Sequence, residues 1–166
     1  MTVKKKAGQS KSKTTRTLAH RLAELEDKEA IATLISQMNW LADENRLDEL
    51  MECFADDLFY DVGKFGAYRG KPALRGFYEQ MVGPFSMRIH RTTNQVIELH
   101  GTRAQARCYW RADLVMQGKA LVSSGHYHDE LLKVHGQWKV QVRRATITYM
   151  CPLEDGWAKT RMMSME

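Results

Sequence analysis

The order of hydrophobic patterns along the chain predicts an α+β domain in which a curved, mixed or antiparallel sheet wraps a long N-terminal helix. Three observations predict it. An apolar stripe at three- and four-residue spacing runs through the first third, four long strand-like segments fill the second half, and short glycine-containing turn signals separate those segments. Helices first and strands last is the order of an α+β domain, not of alternating α/β units. With 166 residues the chain has room for one such domain with a sizeable core and little room for two.

The first helix is expected from Leu18 or Arg21 to Ala42. Ile31, Leu34, Ile35, Met38, Leu41 and Ala42 form its core stripe, and Glu24, Glu26, Asp27 and Lys28 face solvent. It closes on Met38-Asn39-Trp40-Leu41-Ala42-Asp43, where the apolar periodicity gives way to a carboxylate. Trp40 falls off the stripe but precedes Asp43 by three residues, so a helical last turn would aim both at one edge of the core. An indole beside an ionisable group would make a pocket wall. Asp43-Glu44-Asn45-Arg46 also reads as a solvated connector, and the residues alone leave both readings open.

Asn45 is expected to cap a short second helix carrying Leu47, Leu50, Met51 and Phe54, since Asp48 follows three residues later. Leu58 to Val62 reads as a strand, Gly63 to Gly70 as a loop or short hairpin, and Pro72 to Val82 as a third helix with proline in its first turn. Past Gly83-Pro84 come the long strands, about 87–99, 103–116, 120–134 and 138–149, joined at His100-Gly101, Gln117-Gly118 and His135-Gly136. In the second of them Ala104, Ala106, Cys108, Trp110, Ala112, Leu114 and Met116 alternate with polar residues. One face is therefore apolar and needs helices over it.

The formal charge of +5 suggests nucleic acid until it is divided along the chain. Residues 1–21 hold seven basic residues and no acid, which leaves 18 basic against 20 acidic residues beyond them. Residues 1–17 are expected to be a disordered basic tail, because Lys4 to Lys13 contains no aromatic or aliphatic anchor. Residues 18–153 are the domain and 154–166 a C-terminal tail. No nucleic-acid partner is expected from an acidic body without interleaved basic and aromatic residues. The chain has no run of about 18 apolar residues and no apolar segment after its basic start, so a cytoplasmic protein without a membrane partner is expected. Cys53, Cys108 and Cys151, an odd number at wide spacing, fit reduced thiols.

His20, His100 and His135 fall in the tail or at turns. His90 differs, lying near the start of a long strand where alternation sends one polar side chain per pair towards the helices. His126, His128 and Glu130 share one strand face that could hold a divalent metal, with Tyr127 on the opposite face. Only one of those faces can line a pocket, and no metal and no cofactor is expected.

The helix ending in Asp43, then Leu47-Asp48-Glu49-Leu50-Met51-Glu52-Cys53-Phe54-Ala55-Asp56-Asp57, then Tyr68-Arg69-Gly70-Lys71-Pro72-Ala73-Leu74, and the closing Gly136-Gln137-Trp138-Lys139-Val140, together resemble the SnoaL-like branch of the nuclear-transport-factor-two-like superfamily over about residues 20–153. Within it the pattern is similar to the scytalone dehydratases, hexachlorocyclohexane dehydrochlorinases and bile-acid dehydratases. That resemblance implies a cystatin-like α+β cone with a deep pocket, and a cofactor-free lyase. It implies that Asp43 and His90 form a catalytic dyad, that Arg143 lies in the pocket with Arg144 as the alternative if a bulge shifts register, and that Tyr127 and Trp110 line it. Met38 stands where relatives place a lysine or tyrosine, so help for a leaving group must come from elsewhere. The expected function is elimination or isomerisation of a small hydrophobic substrate, with Met38, Trp40, Trp110, Tyr127 and Arg143 around it. The alternative is a non-catalytic ligand-binding module, or the small subunit of a ring-hydroxylating dioxygenase. A homodimer or homotrimer through the sheet is expected from the partly apolar outer face that carries Tyr109 and Val115.

Overall fold

The computed structural model describes residues 17–157, so the basic tail lies outside the described residues except for Thr17, and the C-terminal tail lies outside them from residue 158. Helix α1 (Leu18–Asp43) opens on Thr17, whose hydroxyl accepts from the His20 backbone N–H at 3.2 Å. Its first half projects with Leu18, Leu22 and Leu25 exposed, and its second half buries Ile31, Ile35, Met38, Asn39, Leu41 and Ala42. Where those halves meet, Asp27 accepts from Lys133 Nζ at 2.5 Å and from Trp138 Nε1 at 2.9 Å, tying the helix to the last hairpin.

Helix α2 (Leu47–Glu52) starts without the expected asparagine cap. Asn45 instead takes a left-handed conformation, φ 58°, which asparagine tolerates, and Arg46 leads the helix and grips Glu49 at 2.7 and 2.5 Å. Strand β1 (Phe54–Asp61) begins four residues earlier than expected, because Phe54 leaves the helical stripe and pairs with Val140. A 3₁₀ turn (Gly63–Phe65) and the short strand β2 (Ala67–Arg69) follow. Helix α3 (Gly70–Phe77) loosens into a π-helical turn (Tyr78–Val82), where a single helix over 72–82 is expected from the sequence.

The long strands are β3 (Met87–His100), β4 (Arg103–Met116), β5 (Lys119–Val134) and β6 (Gln137–Pro152). Their order is β2-β1-β6-β5-β4-β3, with β1 parallel to β6 and every other pair antiparallel, so the sheet is mixed and β2 and β3 are its edges. Gln117-Gly118 and His135-Gly136 have positive φ at both residues, the backbone of two-residue hairpins that match strand twist. Alternation along β4 sends Ala104, Ala106, Cys108, Trp110, Ala112 and Leu114 inward, into the core that α1 also enters. Bulges between Thr93 and Val96, Ser124 and Gly125, and Glu130 and Leu131 bend the sheet around the helix. Gly125 serves that bend. A Cβ there would lie 1.8 Å from the Thr146 carbonyl oxygen and 3.0 Å from the Trp110 ring, which crosses the strand at this point.

Candidate active site

The sheet curvature brings the inward face of β3 over the C-terminal end of α1, so residues 47 positions apart in the chain meet. Asp43 Oδ1 accepts from His90 Nδ1 at 2.5 Å, and Asp43 Oδ2 accepts from the His90 backbone N–H at 2.7 Å. Two donors from one residue fix the carboxylate in position and rotation. An ionised carboxylate can only accept, so in the neutral imidazole this contact selects the tautomer with its proton on Nδ1 and leaves Nε2 free to accept. The two side chains are 18% and 14% exposed, sheltered but reachable.

Both elements border a cavity of about 110 Å³ that His90, Met38, Asn39 and Ala42 help to line. On that measure one water takes roughly 10–15 Å³, so the space admits several waters or a small organic ligand. Its half-exposed lining residues, Phe65, Met81, Val82, Ile147 and Met150, mark the rim, and the buried Met38, Tyr60, Tyr127, Arg143 and Ala145 mark the inner end. The wall is mostly aromatic and aliphatic, the usual chemistry of a pocket for a hydrophobic molecule.

The polar groups are few and placed. Arg143, 2% exposed, donates from Nε and Nη2 to the two Asp129 oxygens at 2.8 and 2.7 Å, and Nη1 takes no part in that pair. Burial penalises its charge, and the Asp129 carboxylate more than offsets this, so the guanidinium stays protonated. Its carbon lies 4.3 Å from the centre of the Tyr127 ring, which in turn stacks on Trp110 at 5.7 Å and 20°. Trp110 then leads to the His90 ring at 6.5 Å. Burial pushes the phenols of Tyr60, Tyr78 and Tyr127 up, so each is a neutral O–H donor at ordinary pH. Trp110 Nε1 is buried with no partner, leaving an indole N–H unused in a residue that lines the cavity.

His90, Met38, Trp110, Tyr127 and Arg143 therefore line one cavity, and Asp43 stands behind His90, bonded to its ring and backbone. Trp40 does not line it. It is 67% exposed on the outer side of α1, a correction that follows from helix geometry. Three residues rotate a helix by roughly 300°, which sets Trp40 on the solvent side of Asp43 and turns Asn39, one residue earlier, inward. Asn39 is 8% exposed, lines the cavity and donates to Thr92 Oγ1 at a long 3.4 Å. Its place one turn before Asp43 was the signal that could have found it. Tyr60 and Tyr78, which line the cavity, and Asp129, which holds Arg143 from behind, were also missed, since nothing in their local sequence marks a shared site. Arg144, the alternative to Arg143, points outward to Glu130 at 2.7 Å. His126 and His128 lie off the cavity with ring centres 5.3 Å apart, and among the described residues no group of three or more His, Cys, Asp or Glu is placed to hold a metal.

A sequence model of the SnoaL-like domain matches residues 23–144. The chain belongs to the SnoaL-like domain family. Among solved structures, this SnoaL-like chain is similar to a scytalone dehydratase-like protein of Novosphingobium aromaticivorans (23% identity, TM-score 0.74, 79% of this chain and 90% of that one). It is similar also to a type 3 hexachlorocyclohexane dehydrochlorinase of Novosphingobium barchaimii (22%, 0.73, 80% and 94%) and to an NTF2-like protein with a cystatin-like fold from Novosphingobium aromaticivorans (24%, 0.67, 90% and 96%). Uncharacterised proteins of Mycobacterium tuberculosis and Mycobacterium bovis share 24% identity over 127 residues, 74% of this chain and 86% of theirs. At these identities the solved structures establish the cystatin-like, NTF2-like fold. No helix among the described residues is long and apolar enough to cross a membrane.

Proposed function

We propose that this SnoaL-like protein is a cofactor-independent lyase that removes a proton from carbon in a small hydrophobic substrate and expels a leaving group from the adjacent carbon. The observation that carries this reading is the Asp43–His90 contact at 2.5 Å on the wall of an apolar cavity. Nε2 of His90 takes the proton, the C–H electron pair becomes the new C=C bond, and the leaving group departs with its own pair. Asp43 holds the tautomer that bares Nε2 and compensates the imidazolium as it forms. A general base placed in this way contributes about 10²–10⁴-fold to the rate.

Met38 can neither donate a proton nor carry charge, so the departing group depends on Arg143 Nη1, the Tyr127 hydroxyl or the Asn39 amide. These groups can also steady an enolate. With a poor leaving group the same dyad returns the proton at a different carbon, and the reaction is an isomerisation. Two of the structural relatives are named for eliminations, a dehydratase of scytalone type and a dehydrochlorinase of hexachlorocyclohexane, which supports elimination as the first reaction to test. The test is a panel of apolar hydroxy, halo and carbonyl compounds followed by mass spectrometry. A loss of water or hydrogen halide that requires His90 supports the reading, and turnover that survives His90→Gln contradicts it.

A further inference from the structure

Arg88 holds together parts of the site's surroundings that the chain leaves separate, and it has no role in the chemistry above. It lies on β3 two residues before His90, on the same inward-leaning face. Its Nη1 donates to the carbonyl oxygens of Val82 at 3.0 Å and Phe85 at 3.3 Å, and its Nη2 donates to the Asp43 carbonyl oxygen at 3.2 Å. Nε is buried without a partner. One planar guanidinium thus spans the end of α1 and the turn after the π-helical segment.

Each end of that bridge has a physical need for it. The Asp43 carbonyl belongs to the last turn of α1, where carbonyls lack intrahelical partners and the helix dipole favours a cation, and that turn contains no basic residue. The π-helical turn is the less regular part of the cavity wall, and π-turns of this kind recur at functional sites. Its Met81 and Val82, and Phe85 just beyond, line the cavity. The turn is otherwise stitched to the sheet by Ser86, whose backbone N–H donates to the Val115 carbonyl at 2.9 Å. Gly83 lets it close, since a Cβ there would sit 2.5 Å from the Glu79 carbonyl oxygen.

We propose that Arg88 is a positioning residue that couples the rim turn Val82–Phe85 to the Asp43–His90 dyad, so that a ligand pressing on Met81, Val82 and Phe85 also sets the orientation of the catalytic pair. The proposal deepens the lyase reading and rests on it for the word catalytic, while the coupling itself is a property of the fold. A lysine does not replace Arg88, because a point ammonium cannot reach three carbonyls along a planar fork.

The test uses the full chain labelled with ¹⁵N-histidine, reading the His90 ring nitrogen shifts by NMR and cavity binding with the dye anilinonaphthalene sulfonate, and requires a cooperative melt for each variant. Gly83→Ala displaces the turn without touching Arg88 or the dyad. It is expected to shift the His90 ring nitrogens and to weaken dye binding by roughly fivefold to tenfold, the equivalent of about one lost hydrogen bond. Arg88→Met and Arg88→Lys are each expected to shift the same nitrogens, and Gly83→Ala added to either is expected to move them no further. A Gly83→Ala protein with weakened dye binding and wild-type His90 shifts overturns the coupling. So does a Gly83→Ala shift of the same size with and without Arg88. If neither Arg88 variant folds, Gly83→Ala alone decides by whether His90 responds. A wild-type His90 with its proton on Nε2 contradicts the lyase reading and leaves the coupling measurement intact.

Discussion

At the scale of single residues, the inner end of the cavity depends on compensation between neighbours. Arg143 and Asp129 are 2% exposed, and each satisfies the other through two hydrogen bonds. Removing one partner leaves a buried charge alone, so Asp129→Ala is expected to destabilise the protein by about 3–5 kcal/mol in urea unfolding, far more than Glu130→Ala at the exposed pair with Arg144. Burial pushes the Cys108 thiol up to about 11, so it stays protonated and inert at neutral pH. Iodoacetamide at pH 8 should therefore label Cys108 in unfolded protein and spare it in the native state, as mass spectrometry of the tryptic peptide would show. Arg143 was legible in the sequence only together with Arg144. A one-residue slip exchanges the two faces of a strand, and the β5–β6 bulge nearest this pair, between Glu130 and Leu131, carries no local mark of the kind Gly125 gives the other.

At the scale of elements, the meander was legible to within three residues at every strand end, because alternation and glycine turns act locally. The expected strands at 87–99, 103–116, 120–134 and 138–149 are found at 87–100, 103–116, 119–134 and 137–152. The helical connections were less legible. Phe54 fits a helical stripe and a strand equally well, and its pairing with Val140 is decided 86 residues away in the chain. Long-range ties of the same kind hold α1 to the sheet. Burial opposes ionisation of Asp27, and its hydrogen bonds from Lys133 and Trp138 more than offset this, so its carboxyl lies below its ordinary range. A depressed folded pKa contributes stability that is present above the unfolded pKa and is lost as pH falls through the folded one. Asp27→Ala is expected to lower unfolding free energy at pH 7 by about 1–3 kcal/mol, a deficit that shrinks in acid. A deficit that is constant from pH 7 to pH 3 would place its cause in packing instead.

At the scale of the whole molecule, the sheet presents an outer face on which Met87, Ile89, Val96 and Tyr109 are each at least 40% exposed. Apolar surface of this kind on long, regular strands is better covered than hydrated. We expect a homodimer or homotrimer by light scattering, and a monomer mass for Tyr109→Glu with an unchanged melting temperature. A monomer in the wild type at micromolar concentration would contradict this. The whole-molecule property that sequence could reach least is the cavity, since its walls come from α1, α3 with its π-helical turn, β1 and all the long strands. Periodicity shows which residues turn inward, but not which inward residues share one space. The resemblance to a family supplied the meeting of Asp43 and His90, and their spacing in the chain did not.

That meeting is the central claim, and a double-mutant cycle on turnover tests it most directly. With a substrate from the panel in hand, His90→Gln is expected to lower kcat/KM by about 10²–10⁴-fold. Asp43→Asn should do nearly as much damage, since an amide can hold the wrong tautomer and cannot compensate the imidazolium. Because the pair acts as one unit, the double mutant should be scarcely worse than the poorer single mutant. Full activity in His90→Gln, or losses that multiply in the double mutant, would contradict a dyad.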